Sequence, residues 1–383
     1  MVGVTGSSPV FVTRTAWYIQ AVFFVLNLVY PAYELLKDIV PKKMRRERTM
    51  LDNILILLLS LGIILTGCEL FTNGIEWLGK KLGLGDGVVG SIFSAVGTCL
   101  PETLIPVIAL LFSNQKDSVD IGIGAIVGAP FMLATLAFFI TGLSVIIFSG
   151  RRQTGMNLST NLDILGRDIS FFVIVYTSAI SVSFFSVGFV KNITAIFLIA
   201  AYVYYVFKTV NSDKASNGEI DELIFSKTFK LNENIPVIVA QIALALFSII
   251  LGAEMFVGNI EVISGTLGIS TLALSIIITP VATELPEKFN SVIWISKNKD
   301  TLSLGNISGA MVFQSCIPVS IGIITTDWKL DIITLVSSLL ALASTLVTYI
   351  WIKVKRSLTP LPLLTGGIFY ALFIVFLILR GFK

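Results

Sequence analysis

The chain has 383 residues, of which 55% are hydrophobic and 13% charged, and its mean hydropathy is +0.90. A soluble domain cannot hide that much apolar surface, so the chain reads as an integral membrane protein. A net charge of +3 leaves no basic excess for a nucleic-acid partner; the absence of histidine excludes imidazole acid–base chemistry and the usual zinc sites. Cys68, Cys99 and Cys316 match neither a metal-binding spacing nor a disulfide framework.

In chain order, nearly uncharged runs fall at about 16–36, 51–79, 86–113, 119–149, 169–188, 192–210, 235–263, 266–296, 301–326, 332–352 and 360–379. Lipid offers no partner to backbone N–H and C=O groups, so each run is expected to be a helix; apolar residues on all sides rather than alternation argue against a β-barrel. The run 16–36 has Arg14 ahead of it, Pro31 inside it and no small-residue cleavage pattern before Lys37. It is read as an extra N-terminal helix rather than a removed signal. Between the sixth and seventh runs, 211–234 holds Asp213, Lys214, Glu219, Asp221, Glu222, Lys227, Lys230 and Glu233, which makes it a hydrophilic linker between two halves. Lys and Arg are more numerous on the linker side, which favours a cytoplasmic linker. The segment Lys37–Arg48, with six basic residues, pulls the other way unless it or the first run lies along the interface.

The two halves resemble each other. Gly67-Cys68-Glu69-Leu70-Phe71 parallels Gly252-Ala253-Glu254-Met255-Phe256, Leu82-Gly83-Leu84 parallels Leu267-Gly268-Ile269, and Thr98-Cys99-Leu100-Pro101-Glu102 parallels Thr283-Glu284-Leu285-Pro286-Glu287, all at an offset of 185. Gly124-Ala125-Ile126-Val127-Gly128-Ala129 parallels Gly305-Asn306-Ile307-Ser308-Gly309-Ala310 at an offset of 181, so one turn is shorter in the second copy. The expected organisation is an N-terminal helix and basic segment (1–50), a first repeat (51–210), the linker (211–234) and a second repeat (235–383). Five helices per repeat, an odd number of crossings, turn the second copy upside down. This is the inverted-repeat plan of secondary transporters, whose site lies at the midplane between the copies.

Glu102 and Glu287 hold matching places inside nearly uncharged stretches. A carboxylate at that depth costs about 2.5–3.5 kcal/mol even on the lenient insertion scale, so two related by symmetry point to a shared cation. Pro101 and Pro286 precede them and delete the hydrogen bonds to the carbonyls of Gly97 and Ala282. Thr98 and Thr283 sit one turn earlier on the same face. Oxygen-only ligation with two carboxylates suits a hard cation, Ca²⁺ or Na⁺, over a soft metal. Lys288 follows Glu284 at i+4, the spacing of a neutralising pair. Glu69 and Glu254, near helix ends, are read as interfacial or packing residues. Gly124-x-x-x-Gly128 and Gly305-x-x-x-Gly309 are close-packing devices that also bring the following helix to the midplane. A Walker A loop is absent from the sequence, so ATP hydrolysis has no candidate site in this chain.

The paired Leu-Pro-Glu segments, each followed by a Gly-x-x-x-Gly helix, resemble the two α-repeats of the cation/Ca²⁺ exchanger superfamily, particularly prokaryotic sodium/calcium exchangers. The resemblance spans roughly Leu51 to Arg380. It implies ten helices in two inverted halves around a midplane cluster, with gating helices sliding across a static core. It also implies a Ca²⁺ site formed by Glu102, Glu287, Thr98 and Thr283. The Na⁺ sites of sodium-coupled members resemble a Ser after each Thr, a Ser after the second Gly, and an Asn or Asp four positions further. Here those positions carry Cys99 and Glu284, Ala129 and Ala310, and Leu133 and Gln314, and Pro130 and Ala125 depart as well while Asn306 is kept. The candidate ion ligands are therefore Thr98, Glu102, Thr283, Glu284, Glu287 and Gln314.

The expectation is an all-α polytopic membrane protein of two inverted five-helix repeats, about ten core helices, plus one extra N-terminal helix. Its function is expected to be antiport of Ca²⁺ or a similar divalent cation against Na⁺ or H⁺ in the plasma membrane of a prokaryote, without covalent catalysis or cofactor. Its partners are the cations and the bilayer. The altered coupling positions point to protons carried by Glu284 with Glu102 or Glu287, a desolvated carboxylate being able to exchange H⁺ for metal. The competing expectation is an uncoupled channel or ion-sensing protein on the same repeats.

Overall fold

The computed structural model describes residues 49–81, 100–113, 117–212 and 222–381. The expected N-terminal helix at 16–36, the basic segment and Thr98 lie outside the described residues. The described chain is helical throughout: α1 (Met50–Lys81), α2 (Leu100–Leu111), α3 (Ser118–Phe148), α4 (Leu162–Ser181), α5 (Gly188–Ser212), α6 (Ile224–Phe229), α7 (Ile235–Leu267), α8 (Thr271–Ser296), α9 (Asp300–Thr325), α10 (Ile332–Lys355) and α11 (Pro360–Leu379). Eight of these are long and apolar enough to span a bilayer; Glu102–Leu111 of α2 and Thr271–Glu284 of α8 are shorter apolar stretches. Large apolar side chains face outward, among them Leu58, Ile174, Phe189, Ile350 and Leu372, each at least half exposed. A surface of that kind is matched by lipid, and the protein is an integral membrane protein.

Helix ends follow local chemistry. Asn161 caps α4 by accepting from the backbone N–H of Asp163 and Ile164, Asn234 caps α7 from Val237, and Asp331 caps α10 from Thr334. Gly268, at φ 66°, ends α7 in the left-handed conformation and lets α8 begin three residues later. The helix expected at 169–188 begins instead at Leu162. Asp163, Arg167 and Asp168 interrupt the uncharged run, yet Arg167 and Asp168 pair with each other at 3.0 Å inside the helix. Within the expected linker, α6 folds against the α1–α7 pair. Asn73 Oδ1 accepts from the N–H of Ile224 at 3.0 Å and Gln241 Oε1 from that of Phe225 at 2.9 Å, while Gln241 Nε2 donates to the Leu70 carbonyl.

Two packing relations position the centre. Helices α1 and α7 lie against each other through small residues: a Cβ added at Gly67 would meet Ile249, one at Gly74 would meet Ile242, and one at Gly252 would meet Ile64, each at 2.8 Å. Contacts therefore descend α7 as they ascend α1, so the two helices run antiparallel. The remaining packing exchanges when the halves are exchanged: α4 and α5 pack on α9 as α10 and α11 pack on α3. Helix α3 carries a π-helical turn at Leu133–Ala137, three residues after Pro130. The turn disturbs the i to i−4 ladder, and Ser344 of α10 donates to the Ala134 carbonyl at 2.6 Å.

At one end, Arg152 is buried in the loop after α3 and makes a bidentate pair with Asp300 in the first turn of α9, both bonds 2.7 Å. It also donates to the Ile295 carbonyl, and Asp300 accepts from the N–H of Ser159. Both side chains are fully buried. Arg152→Ala strands a buried carboxylate, so a loss of about 3–5 kcal/mol is expected in denaturant unfolding of the detergent-purified protein; the paired change Arg152→Met with Asp300→Leu should cost far less.

Candidate functional site

Helices α2 and α8 are the central pair. Helix α2 packs on α3, α7 and α9, and α8 packs on α3 and α9 while touching α2. Helix α2 carries Glu102 of the first repeat, and α8 carries Thr283 and Glu284 of the second. The seam that sets their height is α3 against α8. Pro280 carries no N–H, which frees the Ile276 carbonyl from its helical bond; a Cβ added at Gly128 would lie 2.5 Å from that oxygen and 2.9 Å from the Pro280 ring. One turn earlier, Gly124 faces Ser275 and the Leu272 carbonyl, and Ser275 donates across the seam to the Ile121 carbonyl at 2.8 Å.

From this seam a row of hydroxyls runs along α8. Ser275 and Thr279 are hydrogen-bonded at 3.1 Å, and Thr283 donates to the Thr279 carbonyl at 2.9 Å. With its proton committed there, Thr283 presents oxygen lone pairs, which suits a cation. Glu284 follows, 1% exposed, near the middle of the 26-residue helix. Across from α8, Glu102 on α2 is 3% exposed. On α9, Gln314 is fully buried with neither amide atom hydrogen-bonded. Leaving a buried amide unmatched costs about 1–3 kcal/mol, so its carbonyl oxygen keeps its capacity to accept a bond.

Four expected ligands, Glu102, Thr283, Glu284 and Gln314, are thus buried on the mutually packed helices α2, α8 and α9. Glu287 lies on α8 one turn beyond Thr283, with its side chain outside the described residues, as is Thr98 altogether. Among the described residues no three Cys, Asp or Glu side chains gather at one point. Lys288 is 2% exposed and donates to Asn306 Oδ1 of α9 at 2.8 Å. Glu69 is exposed on α1, and Glu254 is partly buried on α7.

Residues 53–210 and 237–382 match the family model described as "Sodium/calcium exchanger protein". The chain belongs to the sodium/calcium exchanger family. This is a family of cation-binding transporters rather than enzymes. In this exchanger-family chain, 279 residues are 22% identical to the inner membrane protein YrbG of Escherichia coli, covering 72% of the chain and 81% of YrbG. The fold is that of a crystal structure of the H⁺/Ca²⁺ exchanger CAX, with a TM-score of 0.62, 16% identity and coverage of 96% of this chain and 89% of that one. It is shared with the sodium–calcium exchanger NCX_Mj, with a TM-score of 0.51, 20% identity and coverage of 85% and 99%.

The exchanger core also contains a polar cluster that sequence reasoning missed. Asp168 of α4 is 3% exposed, accepts from Ser308 of the second glycine motif at 2.8 Å and pairs with Arg167, which in turn donates to Thr209 of α5 at 3.1 Å. Asp168 sat one residue before the fifth uncharged run, so a run-based criterion placed it at a boundary. A polar position within reach of a glycine motif was the signal available, and only the fold puts the two together.

Proposed function

We propose that this chain is a secondary active antiporter that moves Ca²⁺ or a similar divalent cation across the plasma membrane of a prokaryote in exchange for Na⁺ or H⁺. It does so by alternating access between two inverted five-helix repeats. The observation that carries the reading is the concentration of buried oxygen groups on α2, α8 and α9: two carboxylates, a threonine hydroxyl with its proton already committed, and an amide that no protein group satisfies. Oxygen ligands of this kind, without thiolate or imidazole, select hard cations. The antiparallel contact between α1 and α7 supports inversion of the repeats, because these helices hold equivalent places in the two halves. Two similarly folded proteins, named as H⁺/Ca²⁺ and sodium–calcium exchangers, support the cargo.

The chemistry required of the protein is modest. The carboxylates offset the desolvation of the divalent ion, and a monovalent cation or proton takes its place for the return step, so that neither carboxylate crosses uncompensated. The π-turn of α3 beside Pro130 and the Gly124–Gly128 seam give α8 a rigid wall to be held against while other helices move.

The test is ⁴⁵Ca²⁺ uptake into proteoliposomes under an outward Na⁺ gradient, an outward H⁺ gradient or neither. Uptake is expected only with a gradient, and the effective gradient names the counter-ion. Because Ala129, Ala310 and Leu133 offer no side-chain oxygen at coupling positions, an uncoupled pathway is the second reading. Flux that follows the Ca²⁺ gradient alone would establish that reading in place of antiport.

A further inference from the structure

Helices α4 and α5 pack chiefly on α9 and touch each other little, whereas the pair in the equivalent place of the second half, α10 and α11, packs closely on itself as well as on α3. A cleft of about 480 Å³ is left between α4 and α5, within the range of about 300–1,000 Å³ that ligand clefts span. Its walls are apolar and aromatic, contributed by Phe171 and Ile174 of α4 and by Phe197 and Tyr204 of α5. Ile174 and Tyr204 are more than half exposed, so the cleft opens on the surface that the bilayer covers. One end of it is basic. Arg167 and Lys208 line the cleft, and among the described residues no Asp or Glu does. Arg167 is five residues from the start of α4 and Lys208 four from the end of α5. That is about 6–8 Å along each helix axis, a depth from which a long basic side chain reaches the headgroups. The Arg167 guanidinium is held by Asp168 at 3.0 Å and by Thr209 at 3.1 Å. Lys208 is exposed, with no hydrogen-bonded or ion-paired partner among the described residues.

We propose that the α4–α5 cleft binds an acidic phospholipid, with the headgroup phosphate on Lys208 and Arg167 and an acyl chain between the apolar walls. Asp168 balances one of the two basic charges, which leaves one positive charge at the mouth of an apolar cleft. An acidic phospholipid carries the matching anion and the matching chain in one molecule, and basic pockets between transmembrane helices recognise lipid headgroups in this way. Guanidinium and ammonium are the side chains suited to phosphate. The distance from Lys208 to Phe197 is about 16 Å along α5 at 1.5 Å per residue, which accommodates an extended acyl chain below the headgroup. The lipid would rest on the polar cluster of the core, because Asp168 pairs with Arg167 and accepts from Ser308 of α9 at 2.8 Å. The site lies on the flank of the protein and is independent of the ion that the chain carries.

The test is thermal unfolding of the detergent-purified full chain in mixed micelles with dioleoylphosphatidylglycerol, with dioleoylphosphatidylcholine, or with sodium phosphate at the same concentration and no lipid. Phosphatidylglycerol is expected to raise the midpoint by on the order of 2 °C or more above phosphatidylcholine, and phosphate alone to leave it unchanged. Lys208→Gln, at an exposed position that the fold does not depend on, should lose at least half of the difference between the lipids. Ala201→Phe narrows the cleft without changing its charge and should lose the difference too. Lys355→Gln, the same charge change at the exposed end of α10, should keep it. Equal midpoints in the two lipids would overturn the site, as would a difference kept in Lys208→Gln or in Ala201→Phe. A loss as large in Lys355→Gln would show general attraction of acidic lipid to a basic surface, and a rise with phosphate alone would show an anion site without a lipid; either also overturns the proposal.

Discussion

On the proposed antiport reading, Glu102→Gln is expected to lower divalent flux by about 10²–10³-fold while leaving the fold intact. The side chain is 3% exposed on α2, the first-repeat helix that packs on α8 and α9, which carry Thr283, Glu284 and Gln314. Glutamine keeps the shape and removes the charge, so a divalent ion entering the site meets one negative charge fewer in a medium where charge is poorly screened. Stability moves little or rises, because a neutral amide is cheaper to bury than a carboxylate. Initial ⁴⁵Ca²⁺ flux in proteoliposomes, with circular dichroism and unfolding midpoints as the folding control, reads both effects. Wild-type flux in the variant would take Glu102 out of the site.

Gly128→Ala has the second-largest effect, and for a reason that involves no charge. The new methyl would lie 2.5 Å from the Ile276 carbonyl oxygen and 2.9 Å from Ile276 Cα. Both are backbone atoms, so no rotamer change relieves the overlap and α3 must separate from α8. Overpacking of this kind costs about 1–3 kcal/mol. The displaced partner is the helix that carries Thr283 and Glu284, so flux should fall more steeply than stability. Gly166→Ala on α4 is the matched control, since a Cβ there meets no described atom within 4 Å; it should be neutral or slightly stabilising. Equal behaviour of the two variants in flux and unfolding would show that the seam does not set the height of α8.

These outcomes separate two kinds of information. Membrane residence, the repeats and the prominence of Glu102 and Glu287, with Thr98 and Thr283 one turn earlier, are legible in the amino-acid order alone. Hydropathy sums over neighbours in the chain, a repeat is a register along the chain, and a carboxylate in an apolar run stands out because its desolvation is costly wherever the helix goes. Gln314 was found through the family resemblance rather than through periodicity, since an amide in a Gly/Ser-containing helix attracts no attention until its burial and lack of partners are seen.

The tertiary structure decided what depends on partners far away in sequence. Lys288 reads from the sequence as an i+4 counter-charge for Glu284, and the fold adds a bond from its nitrogen to Asn306 of the next helix. Asp168 and Arg167 look like the edge of a span, and packing makes them an internal pair tied to Ser308 and Thr209. Gly128 is one of many glycines until Pro280 frees the carbonyl it covers. The direction of α1 against α7, from Gly67 on Ile249 to Gly252 on Ile64, is likewise a relation between surfaces. The physical reason is common to all four: a lone charge or small residue is priced by the local chain, whereas a paired charge or a filled groove takes its energy from whatever the fold puts opposite it.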